Sequence, residues 1–237
     1  MEIPAHPAVP SPEHSLGDSF AWAMRDPEWF SKLILMGLIS LIPIFGWLQL
    51  LGWMLTALDH LRHGRQDLPP ADFRYASRGV HVFLASLVWG LLVAVVVYGS
   101  WFAIVFGMVG LSPKSGGSTT TSNAFPLFFF PVLFGWMALL GLLLLVGVAL
   151  APLIVLYTDR LGFGGAFKLA SFAHAIRTSP QEIAAAGALT LVAYVMSGLG
   201  TYLCYVGILF SVPYSMAVIA GVLRWYEVHA RPGALPA

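Results

Sequence analysis

An all-α, polytopic membrane fold of about five transmembrane helices, with four and six as its bounds, is what this sequence predicts, on three observations. Of its 237 residues 58% are hydrophobic and 10% charged, with a mean hydropathy of +0.81, whereas a soluble domain carries roughly 25% charged residues. Asp, Glu, Lys and Arg are absent from four long stretches, Leu33 to Leu58, Gly79 to Pro113, Ser115 to Thr158 and Ile183 to Leu223, and roughly 20 helical residues cross a hydrocarbon core. The cations gather in alternate connections: four Arg in 59–78 and three Lys or Arg in 159–182, against Lys114 alone in 112–125. The same composition removes several function classes. A net charge of +1 is too small to draw nucleic acid, so none is expected as a partner. A single cysteine, Cys204, excludes an intrachain disulfide and any metal site built on two thiolates.

In chain order, residues 1–20 are a disordered lead-in marked by Pro4, Pro7, Pro10 and Pro12, without the basic, apolar and small-residue sequence of a secretory signal. Residues 21–228 are expected to form a single helical membrane domain and 229–237 a short tail. The first apolar segment would itself direct insertion. Pro43 and Gly46 interrupt it; proline removes an amide donor and clashes with the preceding turn, so the segment either kinks and spans once or reverses as a re-entrant hairpin. The next span carries Gly99, Ala103 and Gly107 at four-residue spacing, with Gly90 and Ala94 repeating it, which lets helix backbones approach closely; an internal contact is the expected use. After the uncharged tract Ser115 to Asn123, a third span starts at Phe125.

A cytoplasmic interfacial helix is expected next. At about 100° per residue, Leu169, Phe172, Ala173 and Ile176 share one arc, with Lys168, Ser171, His174 and Arg177 opposite; Lys168 and Arg177 then suit lipid headgroups. The last stretch is long enough for two crossings, and Gly198, Gly200, Gly207 and Pro213 interrupt it. Its entry, Ser179-Pro180-Gln181-Glu182, fits a capping box, and Asp26-Pro27-Glu28 is a comparable entry to the first segment. By the positive-inside rule 59–78 and 159–182 lie in the cytoplasm and 112–125 outside. The C-terminus is then inside, and the side of the N-terminus stays open.

Several of these features stand in one order: Asp26-Pro27-Glu28-Trp29-Phe30-Ser31-Lys32, Gly37 to Gly46, Gly52-Trp53, Leu68-Pro69, Asp72-Phe73, Gly164-Gly165-Ala166-Phe167, and Leu203 to Gly207 before Pro213-Tyr214. Over residues 20–228 this resembles the prokaryotic membrane proteins grouped as domain-of-unknown-function family 4013. The resemblance implies a helical multi-pass fold in a prokaryotic cytoplasmic membrane, and it supplies no activity or catalytic residue.

Chemistry is sparse. The spans hold no Asp, Glu, Lys or Arg, groups that proton-coupled carriers and voltage sensors need at membrane depth. His60 and His63 share a helical face beside Asp59, close enough for a common metal, but without a His-Glu-x-x-His pattern no metal site is assigned. Ser40, Ser86, Ser100 and Ser197 lie without a base at helical spacing and are expected to bond back to their own helices. No catalytic residue and no cofactor is assigned. The leading expectation is a non-enzymatic accessory or scaffold subunit that contacts the lipid bilayer and a protein partner or its own copies. The alternative is a homo-oligomeric channel or facilitative transporter whose path runs by the breaks at Pro43, Gly46, Gly207 and Pro213, since paired broken segments can mark a transport site.

Overall fold

In a computed structural model, residues 15–111, 124–202 and 206–231 are described. The Ser115 to Asn123 tract, Lys114 and Cys204 lie outside them. The described residues form helices α1 (Asp18–Ala21), α2 (Trp29–Ser40), α3 (Phe45–Arg62), α4 (Ala76–Leu111), α5 (Ala124–Leu161), α6 (Leu169–Thr178), α7 (Pro180–Leu199) and α8 (Val206–His229), with single 3-10 turns at Trp22–Arg25, Phe163–Phe167 and Gly200–Tyr202. Four helices are long and apolar enough to cross a membrane: Ala76–Gly107, Phe129–Leu161, Pro180–Leu199 and Gly207–His229. Among the described residues the count is thus four, within the expected four to six, because the first apolar segment does not form one continuous helix.

That segment is a hairpin. Pro43 offers no amide, Ile44 takes φ 63, and Gly46 donates to the Ile42 carbonyl at 2.8 Å, so the chain reverses within four residues. A Cβ on Gly46 would stand 2.7 Å from the Ser40 backbone, and only glycine lets α3 start this close to the end of α2. The open ends are tied by the loop after α3. Asp26 accepts from the Leu68 amide at 2.8 Å, Lys32 reaches both Asp26 (2.7 Å) and the Leu68 carbonyl (3.1 Å), and Trp53 donates to Pro69 at 3.0 Å. The loop then runs back along α3. There Gln49 donates to the Phe73 carbonyl at 2.7 Å and accepts from the Tyr75 amide at 2.8 Å, saturating a buried amide that would otherwise be costly.

α8 is the hub of the core. Of its apolar window 67% is buried, against 11% for α4. Ala217, Val218, Ala220, Val222 and Leu223 pack with Leu50, Trp53, Met54 and Leu58 of α3, and Trp22 donates to the Ala217 carbonyl at 3.0 Å. α7 runs antiparallel to α8, with Ser211 donating to Ser197 at 3.0 Å near one end and the Arg231 amide to the Ser179 hydroxyl at 3.1 Å at the other. The expected capping box is therefore not formed: the Ser179 hydroxyl serves Arg231 and makes no cap bond to α7. Asp26 does act locally, accepting from the Glu28 amide at 2.8 Å.

α4 and α5, with 36 and 38 residues, extend about 54 Å and about 57 Å at 1.5 Å per residue, and they are antiparallel. Arg78 meets Asp159 at one end, and Trp136 donates to Ser100 at 2.9 Å farther out. Their outer parts have little cover within the chain, with Phe106 69% and Phe134 65% exposed. α6 buries Phe172 and Ala175 and leaves Leu169 and Ile176 exposed.

Candidate functional site

Where α3, α4, α5 and α8 converge, the charges that border the apolar stretches meet. Asp59 and Arg62 end α3, Arg78 opens α4, Asp159 and Arg160 end α5, and Arg224 and Glu227 lie in the last turns of α8. Arg62 binds Glu227 through two nitrogens at 2.6 and 3.1 Å, Asp159 at 2.8 Å and Asp59 at 2.9 Å. Arg78 pairs with Asp59 and stands 3.4 Å from Asp159, while Arg160 reaches Glu227 at 3.0 Å. The Glu227 side chain is only 4% exposed, and a carboxylate that deep persists because several guanidinium donors surround it. Burial pushes the Asp59 carboxyl up, but hydrogen bonds and charge from Arg78 and Arg62 outweigh this and hold it below the usual range. Burial likewise works against the Arg62 cation, and Glu227 and Asp159 outweigh it.

One cavity adjoins this cluster and a second lies next to it, farther along α4 and α5. The first, of about 430 Å³, is lined by Ser77, Arg78 and His81 of α4, Thr158, Asp159 and Gly162 at the end of α5, and Leu55 and Val82. The other, of about 220 Å³, is apolar and lies between α4 and α5 over α3 and α8, with Val82 shared between the two.

The residues singled out from the sequence fall elsewhere. Pro43 is exposed at the tip of the hairpin and Gly46 is buried in its corner. Gly207 backs onto Gly200, and Pro213 is buried within α8. The second break is closed by α2 rather than by the first break: a proline at 213 leaves the Leu209 carbonyl without its helical donor, and Gly37 packs directly against that carbonyl, where a Cβ would overlap it. Neither described cavity is lined by Pro43, Gly46, Gly207 or Pro213. Lys168 and Arg177 are exposed on α6. Gly99 and Gly107 would meet nothing within 4 Å if given a Cβ, and Ala103 is exposed. The internal helix contact expected of this stripe is therefore absent among the described residues, because α5 faces α4 through Ser100 and Trp101 instead. Close internal packing falls to Gly37, Gly52, Gly79, Gly187 and Gly200, each of which has a neighbour's backbone in the Cβ position.

His60 and His63 point to separate backbone carbonyls, Asp67 at 2.8 Å and Asp59 at 2.7 Å. Among the described residues no three His, Cys, Asp or Glu gather in a metal-holding group. Ser40 and Ser100 bond back to Gly37 and Val97. The ionic cluster is what reading the sequence missed. Its signal was present, since Asp59, Asp159 and Glu227 each lie within three residues of an arginine at a helix end, but a topology count that weighs only Lys and Arg passes over the acids.

A family model described as a protein of unknown function, DUF4013, matches residues 35–223. Nothing among curated proteins or solved structures matches.

Proposed function

The chain belongs to the DUF4013 family, and from that premise we propose that it is a non-enzymatic accessory or scaffold subunit that receives a transmembrane helix of a partner, or of a second copy, on α4. The observation that carries this reading is the open Gly99, Ala103, Gly107 face. At Gly37, Gly52, Gly79 and Gly187 one backbone closes on another, and small residues at the spacing of Gly99, Ala103 and Gly107 are the usual means by which membrane helices do so. The charged end is read as cytoplasmic by the positive-inside rule, with Lys168 and Arg177 of α6 at the headgroups and α4 and α5 reaching the opposite side. Native mass spectrometry of complexes released gently from their own membranes tests it. Wild type should carry additional polypeptide mass, foreign or its own, and Gly99→Leu with Ala103→Leu should shed it. Bare monomer in wild type, or no change in the variant, refutes the reading.

The channel or facilitative-transporter reading draws on the two breaks at Pro43/Gly46 and Gly207/Pro213. The second is closed by the Gly37 backbone on Leu209, which favours a structural use of Pro213. Solute flux in liposomes that changes with Pro43→Ala or Gly207→Leu would restore the transport reading.

A further inference from the structure

α4 and α5 touch at two levels and part between them. At the charged end Arg78 stands 3.4 Å from Asp159; farther out the Trp101 and Trp136 rings lie 5.0 Å apart. In the gap, Val82, Ser86 and Trp89 recur at helical spacing on α4 and face Gly147 and Ala151 of α5 across the apolar cavity, with Tyr194 of α7 beside them. Gly147 and Ala151 give the α5 wall no bulk opposite Ser86 and Trp89, which leaves a slot between two helices whose outer surfaces are exposed. Past Val82 the lining changes to Ser77, Arg78, His81 and Asp159. Ser77 and His81 are one helical turn apart and have no hydrogen-bond partner among the described residues, and one Arg78 nitrogen is held only loosely by Asp159. Arg62 behind them holds Asp159 at 2.8 Å, and the Arg78 nitrogen on the cavity side, with the Ser77 hydroxyl and the His81 ring, offers donors that a phosphate can accept from.

We propose that this pair of cavities holds one membrane phospholipid, its phosphate against Ser77, Arg78 and His81 and an acyl chain in the slot between α4 and α5. The match is one of amphipathic order. A polar pocket that presents Ser77, Arg78 and His81 at the charged end is followed past Val82 by an apolar slot, as a phospholipid's headgroup is followed by its chain, and ligand sites commonly pair apolar walls with a few placed polar groups. The site is separate from the α4 glycine face and stands whether or not that face binds a partner.

Lipid retention tests it on the whole chain. Protein released in mild detergent should carry one phospholipid per chain by native mass spectrometry and lipid extraction. Ala151→Phe fills the slot, and Ser77→Ala with His81→Gln strips the phosphate contacts while leaving the Arg78 ion pairs intact; each should lower retention roughly tenfold, the effect of losing about one charge-assisted hydrogen bond or its apolar equivalent, at an unchanged Tm. In vesicles of phosphatidylglycerol with brominated acyl chains, wild type should show a saturable Trp89 quenching component, identified by its loss in Trp89→Phe and abolished by Ala151→Phe. Retention equal to wild type in both variants, or no retained phospholipid, overturns the proposal. Stabilisation of delipidated protein by inorganic phosphate but not by phospholipid also overturns it and reduces the site to an anion pocket.

Discussion

Gly79 and Gly99 lie on the same helix, yet substituting each with alanine should act in opposite directions. A Cβ at Gly79 would overlap the Leu48 carbonyl and stand 2.8 Å from the Gly52 amide nitrogen, so α3 and α4 must separate; Gly79→Ala should cost about 2 kcal/mol, typical of overpacking, and lower the Tm in detergent. At Gly99 nothing lies within 4 Å, and the helix-propensity gain of about 0.8–1.0 kcal/mol should raise the Tm of the monomer. Ile44→Gly should stabilise by about 1 kcal/mol, since Ile44 holds φ 63 and ψ −58, a strained γ-turn conformation that costs a side-chain-bearing residue roughly that much or more. The carboxylates predict a pH response. Asp59 and Asp26 are held below their ordinary values by Arg78 with Arg62, and by Lys32 with two backbone amides, in each case against the upward push of burial. Their stabilisation is fully present above the unfolded value of about 3.9 and is lost as pH falls through the depressed folded values. Thermal unfolding followed from pH 7 to pH 3 should show Tm falling at the acid end, and less steeply in Asp59→Asn from its lower starting point.

At the scale of elements, α8 carries the assembly and Glu227 anchors it. Glu227→Gln leaves Arg62 and Arg160 facing a neutral amide at 2.6 and 3.0 Å; breaking a buried pair from one side costs about 3 kcal/mol, so a large Tm drop is expected. An unaltered Tm in Glu227→Gln would show that the cluster contributes nothing net. The hairpin follows from local chemistry. The break at Pro43 was legible in the sequence, because a missing amide acts within one turn. That α2 and α3 return to the same level was not legible. It depends on Asp26 and Lys32 meeting Leu68, 36 or more residues away, and on Trp53 meeting Pro69.

For the whole molecule, the hairpin sets topology. With the first segment reversing and four spanning helices after it, the described N-terminal residues, the loops after α3 and α5 and the end of α8 share one face, tied by Arg25 to Gln66 at 3.0 Å and by Arg231 to Ser179. Cysteines at Ser15, His63 and Arg177 should therefore all react with a membrane-impermeant maleimide from the same side. Labelling of Ser15 from the opposite side would mean that the first segment crosses. The all-α membrane class, the approximate number of spans, the broken first segment and the amphipathic α6 were determined by the sequence alone, because they rest on composition, on 3.6-residue periodicity and on backbone chemistry that acts within a turn or two. Which glycines bring helices together, which acids pair with which arginines, and which elements share a face with the described N-terminal residues were decided only by the tertiary structure. Gly79 and Gly99 look alike along the chain, and what separates them is that Leu48, 31 residues from Gly79 in sequence, has been carried to 2.1 Å from where a side chain would begin there, and nothing has been carried to Gly99.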